Sequence, residues 1–101
     1  MRISPYLKKI FQEAILYSFG SVRVTLFGSR VDDAKRGGDF DLAFKGEFST
    51  EEFKRAKNQF IKYLLKRDLD LPIDLIDYNR VGSLLQSEID LKGEILFSPT
   101  N

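Results

Sequence analysis

Two aspartates, Asp39 and Asp41, stand in a short apolar stretch, DFDLAF, whose other residues are typical of a buried strand. Side chains alternate along a strand, so both carboxylates point to one face while Phe40 and Leu42 point to the core. Their Cα atoms would be about 6.5–7 Å apart, a spacing that lets both carboxylates converge on one or two cations. Because a divalent cation removes the repulsion between the two charges, the pair predicts a hard-cation site.

A glycine and a serine, Gly28 and Ser29, end the preceding apolar run, VRVTLF, and begin a turn. Glycine permits an unusual φ and a close approach of the backbone to a ligand. The N–H groups that follow and the Ser29 hydroxyl can then receive a phosphate oxygen, and Arg30 adds a planar set of donors suited to phosphate. The turn therefore predicts a triphosphate site formed by Gly28, Ser29 and Arg30.

A third acid, Asp74, lies between two apolar residues in the stretch IDLID. A carboxylate in an interior strand is costly unless it is paired or bound to metal, so Asp74 is expected to join the metal site. Asp77 is the rival, and we prefer Asp74 because a cap or a solvated role is expected at the strand end. Each of these features is common by itself. Their joint arrangement predicts metal ions that bridge a nucleoside triphosphate and an attacking hydroxyl.

Composition limits the chemistry further. The 101 residues include no cysteine and no histidine, which excludes disulfides, thiolate zinc sites and histidine-based triads, so any metal must be held by oxygen. Sixteen basic and 15 acidic residues give a net charge of +1, which argues against binding long nucleic acid through bulk charge. The chain has no apolar run of about 18 residues, so we expect a cytoplasmic protein without a membrane span.

Local signals predict alternating helices and strands. Ser4 and Pro5 are expected to begin a first helix that ends at Gly20, and the capping box of Ser49 and Glu52 is expected to open a second. Helical spacing predicts apolar inward faces on both helices, which in the second include Leu64 and Leu65. The expected elements are strands at 22–27, 39–44 and 72–78, helices at 50–67 and 80–90 (the latter capped by Asn79), a break at Gly93 and a short edge strand at 94–97. This order predicts a small sheet with helices packed on it.

The combined pattern, Gly28-Ser29 followed by Asp39-x-Asp41 in FGSRVDDAKRGGDFDLA, resembles the signature of the DNA polymerase β-like nucleotidyltransferase superfamily. Within it, the chain is similar to the minimal nucleotidyltransferases (MNT) that are often paired with HEPN-domain proteins in toxin–antitoxin systems. The resemblance covers nearly the whole chain. It implies an α/β (α+β) fold, a small mixed sheet flanked by helices as in the polymerase β palm, in a single domain of residues 1–101.

Two departures from the family pattern occur between the turn and the acids. Nine residues separate Ser29 from Asp39, where ten is commoner in the small members, so the roles of Lys35 and Arg36 stay open. Gly-Gly precedes Asp39 where Gly-Ser is usual, which removes one hydroxyl beside the expected metal site.

The resemblance implies a transfer of AMP from ATP to a hydroxyl by two-metal catalysis, with Mg²⁺ as the ion and Mn²⁺ as a substitute. It implies that Gly28 and Ser29 hold the triphosphate. It also implies that Asp39, Asp41 and Asp74 are the metal ligands and catalytic acids. Arg30 is expected to help steady the pyrophosphate.

The acceptor implied by the resemblance is a HEPN toxin, with which this chain would form a hetero-oligomer as antitoxin. Two alternatives remain at this stage: a binding module that silences its partner by occlusion, and a stand-alone adenylyltransferase that acts on a small molecule. Relatives of the latter type carry an extra domain to hold the acceptor, for which 101 residues leave no room. The same size argument and the balanced charge disfavour a polymerase or a tRNA-end enzyme.

Overall fold

The computed structural model describes residues 3–28 and 40–99 of the chain. The elements, in chain order, are the helix α1 (Pro5–Ser18), the strands β1 (Arg23–Phe27) and β2 (Phe40–Lys45), the helix α2 (Thr50–Leu65), the strand β3 (Ile73–Asp77), a 3-10 turn (Tyr78–Arg80), the helix α3 (Ser83–Lys92) and the strand β4 (Glu94–Phe97). The predicted order of elements is therefore confirmed over these residues, and the strand bounds differ by only one or two residues from the expected ones.

The strands form one mixed sheet in the order β3-β2-β1-β4. β1 pairs with both β2 and β4 in antiparallel fashion, whereas β2 and β3 are parallel. Parallel neighbours need a crossover connection, and α2 supplies it by linking the end of β2 to the start of β3. β1 and β2 are thus the two central strands, and β3 and β4 lie at the edges.

Both predicted helix starts are confirmed by their hydrogen bonds. The Ser4 hydroxyl accepts the Leu7 N–H at 3.1 Å at the start of α1. At the start of α2, the Ser49 hydroxyl accepts the Glu52 N–H at 3.0 Å while the Glu52 carboxylate accepts the Ser49 N–H at 2.9 Å. These bonds satisfy backbone donors that the first turn of a helix leaves without partners.

The third helix does not begin where its cap was predicted. α3 starts at Ser83 with Gly82 as the N-cap residue, and no side chain caps it. Asn79 lies instead in the 3-10 turn, and its side-chain amide donates to the Gly46 carbonyl at 2.7 Å. The local cap signal was therefore wrong because the amide is engaged by a residue 33 positions earlier in the chain.

One face of the sheet, here called the covered face, packs against α1 and α2. Alternation along β2 turns Phe40, Leu42 and Phe44 to this side, as predicted. The rest of the buried cluster comes from α1, α2 and the other strands: Ile10, Phe11, Ala14, Ile15, Val24, Leu26, Phe60, Leu64, Leu75 and Leu96. Leu65 is 48% exposed, so its predicted inward orientation is wrong.

The other face, here called the open face, is covered only in part by the described residues, through α3. The helix buries Ile89 against Phe27, Ala43 and Tyr78. Gly93 permits this contact, because a Cβ at that position would lie 2.6 Å from the Ile89 carbonyl oxygen and 3.1 Å from that of Leu26.

A hydrogen bond ties α3 to the 3-10 turn on the same face. The Tyr78 hydroxyl donates to the Asp90 carboxylate at 2.7 Å. This bond, together with burial and the charge of Asp90, raises the pKa of Tyr78 above its ordinary value of 10.0, and the nearby Arg23 partly opposes the shift. The protonated Tyr78 hydroxyl therefore helps to hold α3 against the 3-10 turn.

Candidate active site

Two of the three predicted acids lie side by side on the open face. β1 ends where β2 begins, with Phe27 opposite Asp41, and β3 places Asp74 opposite Asp41 from the other side. Register partners on adjacent strands share a face, and neighbouring strands are about 4.8 Å apart. The fold therefore brings Asp41 and Asp74 together at the same end of the sheet, as the sequence pattern predicted.

Gly28 follows β1 directly and lies against the carboxylate of Asp41. Its φ is +87°, in the left-handed region that favours glycine. A Cβ at this position would run into Asp41 Oδ2 and would lie 3.0 Å from Asp41 Cγ. Glycine is thus required here both by the backbone conformation and by the close approach to the carboxylate. Gly28 and the Asp41 carboxylate are therefore in close contact.

Asp74 was expected to be buried in an interior strand, and this expectation is wrong, although its position fits the site. β3 is an edge strand and not an interior one, and Asp74 is exposed. The carboxylate therefore keeps its hydration, and no burial cost needs to be offset by a metal. What distinguishes Asp74 is its register opposite Asp41.

Asp77, the rival third acid, lies at the other end of β3 and faces the opposite way. It is 8% exposed, its carboxylate accepts the Asn79 N–H at 3.2 Å, and it pairs with Arg80 Nε at 3.2 Å. Of the two roles expected for Asp77, a cap or a solvated position, the structure shows the cap, since Asp77 caps the 3-10 turn. A broad cleft of about 580 Å³ adjoins this residue, at the end of the sheet remote from Asp41.

The remaining predicted site residues, Ser29, Arg30 and Asp39, lie outside the described residues, as do Lys35 and Arg36. Within 3–28 and 40–99, no group of three or more potential metal ligands occurs, and Asp41 and Asp74 are two members of the expected three. Both offer oxygen, the donor that Mg²⁺ and Mn²⁺ prefer, and two adjacent carboxylates carry the charge that a divalent ion would balance. The donor set therefore fits such an ion.

Sequence reasoning missed a contribution from α3 to this end of the sheet. Glu88 and Lys92, an i, i+4 pair joined at 3.3 Å, line a crevice of about 210 Å³ together with Phe27 and Gly28. The only available signal was their helical spacing, which is typical of any exposed helix face. The crevice places a cation beside the glycine of the predicted phosphate turn.

Comparisons with known proteins bear on the fold. A structure of a toxin–antitoxin with AMP-PNP matches with a TM-score of 0.70 at 16% identity, covering 92% of this chain and 74% of that chain. An MntA–HepT toxin–antitoxin structure matches with 0.67 at 17% identity, covering 94% and 73%. A re-refined structure of tri-AMPylated Shewanella oneidensis HEPN toxin in complex with MNT antitoxin matches with 0.60 at 16% identity, covering 90% and 72%.

At these identities the likeness establishes the fold. No curated protein matches the chain. No helix of the described residues is long and apolar enough to cross a membrane. The family model for polymerase beta nucleotidyltransferases matches residues 2–101. With the mixed sheet and the paired acids at the end of β1, this match confirms the predicted fold, and the chain belongs to the polymerase beta nucleotidyltransferase family.

Proposed function

We propose that the chain is a Mg²⁺-dependent nucleotidyltransferase that moves AMP from ATP to a hydroxyl on a HEPN toxin, for which it acts as antitoxin. The observation that carries the proposal is the register of Asp41 opposite Asp74, with Gly28 packed against the Asp41 carboxylate. This arrangement joins a turn suited to phosphate to a pair of acids suited to a divalent ion.

Three carboxylates, those of Asp39, Asp41 and Asp74, would hold the metal ions. The ions would supply charge to the triphosphate and lower the pKa of the acceptor hydroxyl. Asp74 is exposed, so it is accessible to an acceptor, and it would take the hydroxyl proton. The predicted phosphate turn, with Gly28 and Ser29, would steady the pyrophosphate as it leaves.

The partner is proposed from two observations. Asp41, Asp74 and Gly28 lie at the end of a sheet face that, among the described residues, α3 covers only in part, and Asp74 is exposed to an acceptor. The structurally similar proteins include an MntA–HepT toxin–antitoxin and an MNT antitoxin in complex with a HEPN toxin, and in the second complex the toxin is tri-AMPylated. An acceptor side chain supplied by a bound protein would be held in line with the triphosphate, and such positioning supplies much of the rate of this kind of transfer.

The test is co-expression with a HEPN-domain protein encoded beside this chain, followed by incubation with ATP and Mg²⁺. We expect a hetero-oligomer and a gain on the partner of about 329 Da, one AMP unit, or multiples of it, in intact-mass spectrometry. If the partner is bound and silenced without added mass, the chain acts by occlusion and not by AMP transfer. Transfer to a small hydroxyl compound but not to the partner would favour the stand-alone adenylyltransferase.

A further inference from the structure

Six of the 16 basic residues lie in one segment, which covers most of α2 and the turn after it, although the whole chain is nearly neutral. Between Phe53 and Arg67 the sequence contains no acidic residue; Glu51 and Glu52 precede this range in the first turn of α2, and Asp68 follows it. The basic residues in this range are Lys54, Arg55, Lys57, Lys62, Lys66 and Arg67. Net charge therefore conceals a basic surface on the outer side of the α1–α2 layer.

Three of these cations follow one line along the helix. Arg55, Lys62 and Lys66 are spaced i, i+7 and i+11, which places them on one face over about 16 Å. All three are exposed. In the part of the chain that the structure describes, neither Lys62 nor Lys66 makes an ion pair. Their charges are therefore available to an anionic ligand.

Two tyrosines lie beside the lysines. The rings of Tyr17 and Tyr63 are 5.2 Å apart between centroids, and the guanidinium of Arg67 lies 3.6 Å from the Tyr63 ring. Together with Lys62 and Lys66, these rings line a cavity of about 110 Å³. Tyr17 is 61% exposed, so its ring has accessible surface beside the cations.

One acid, Glu13, is engaged by a tyrosine that lines this cavity. The Tyr63 hydroxyl donates to Glu13 Oε1 at 3.4 Å, which orients Tyr63 and directs Glu13 to the hydroxyl. Tyr63 is thus held by Tyr17, Arg67 and Glu13, while the lysines and the Tyr17 ring remain accessible. An accessible aromatic ring with free cations beside it is a combination that proteins use to bind single-stranded nucleic acid.

We propose that this surface, formed by Tyr17, Tyr63, Arg55, Lys62 and Lys66, binds a short stretch of single-stranded nucleic acid. The lysines contact successive phosphates, and a base stacks on the exposed ring of Tyr17. An acidic protein segment would satisfy the cations but would leave the ring without a planar partner. The surface lies on the α1–α2 side of the sheet, opposite Asp41 and Asp74, so the proposal is independent of AMP transfer.

The test uses the full chain and a fluorescein-labelled oligouridylate about ten nucleotides long, with binding followed by fluorescence anisotropy. We expect Lys62→Gln with Lys66→Gln to weaken binding at least tenfold and to lower the slope of log affinity against log salt by about 1.4. Tyr17→Ala should weaken binding about tenfold, whereas Tyr17→Phe, which keeps the ring, should bind as the wild type does. A labelled oligothymidylate of the same length shows whether the sugar matters.

The matched control is Arg23→Gln with Lys45→Gln, which removes the same charge from two exposed positions on the open face. It should leave the affinity unchanged, and thermal melts of each variant should show an intact fold. Equal losses in both double variants, or full affinity in Tyr17→Ala, would reduce the effect to bulk charge and overturn the proposal. Displacement of the oligonucleotide by poly-glutamate at equal charge concentration would assign the surface to an acidic protein segment instead, and absence of binding would also refute it.

Discussion

The two faces of the sheet differ in how they are used. Among the described residues, thirteen buried side chains form the cluster on the covered face, and four form the cluster on the open face. Burying a large apolar side chain contributes about 1.5–3 kcal/mol, so most of the stability comes from the covered face. The acids Asp41 and Asp74 lie on the face that contributes less.

This division allows charged residues to be placed without loss of the fold. The covered face is dense with aromatic contacts, such as the stacked rings of Phe19 and Phe44, whose centroids are 4.0 Å apart. A carboxylate inserted there would lose its hydration without a compensating partner. On the open face, by contrast, Asp74 stays hydrated at the edge of the sheet. Because side chains alternate along a strand, the same strands place apolar residues on the covered face and Asp41 and Asp74 on the open face.

The largest difference between the two faces is expected when each of the two acids of β3, Asp74 and Asp77, is replaced by alanine. Asp74→Ala should lower the rate of AMP transfer at least a hundredfold, because the site loses a proposed metal ligand and the proposed acceptor of the hydroxyl proton, while stability is unchanged. Asp77→Ala should keep transfer but lower the free energy of unfolding by about 0.5–2 kcal/mol through loss of the cap. Its ion pair adds little, since Arg80 is 54% exposed.

Rates of AMP incorporation into the partner and urea unfolding curves measure both effects. If Asp77→Ala abolished transfer and Asp74→Ala did not, Asp77 would be the third acid and the assignment of the two faces would be reversed.

Alanine substitution of two glycines tests the contact between Gly28 and Asp41. Gly20 and Gly28 both have positive φ, +83° and +87°, but a Cβ at Gly20 would meet nothing within 4 Å. Alanine at either position should cost about 1–2 kcal/mol of stability from the backbone conformation. Only Gly28→Ala should also reduce AMP transfer, because its methyl group displaces the Asp41 carboxylate. Parallel melting curves and transfer assays separate the two effects, and equal transfer in both variants would make Gly28 an ordinary turn glycine.

The smallest effect is expected where α3 is attached to the open face. The raised pKa of Tyr78 means that the folded protein holds this proton more tightly than the unfolded chain does. Its contribution is therefore complete below pH 10.0 and is lost as the pH rises toward the pKa of the folded state. The difference in melting temperature between the wild type and Tyr78→Phe should shrink above that pH. A difference that stayed constant between about pH 9 and about pH 11, one unit on either side of the ordinary tyrosine pKa of 10.0, would contradict this account.

Local signals sufficed to predict most of the fold. Ser4 and Ser49 were identified as caps because their bonds reach only three residues along the chain. Asn79 was misassigned because its partner, the Gly46 carbonyl, is distant in sequence. Leu65 was assigned to the core because helical spacing does not show how far the neighbouring elements extend.

The common face of Asp41 and Asp74 could be predicted from the sequence, but the surroundings of the candidate site could not. The alternation around Asp41 and Asp74 fixed their common direction, whereas the order of strands, which makes β3 an edge, depends on pairing that no local pattern specifies. Glu88 and Lys92 escaped detection for the same reason, since only packing of α3 brings them to Gly28. Assignment of the metal ligands and the triphosphate turn stays a prediction.

The central position of β1 has a kinetic consequence. β1 becomes an interior strand only when β4 pairs with it, and Thr25 and its partner Ile95 are 70 residues apart in the chain. The entropy lost on closing such a loop must be spent before the pairing returns any free energy, so contacts of this range slow folding. The strand that delivers Gly28 to Asp41 is therefore secured by a contact of long range. The end of the sheet that carries Asp41 and Asp74 is expected to assemble in the same cooperative step as the sheet itself, and not on a preformed fragment.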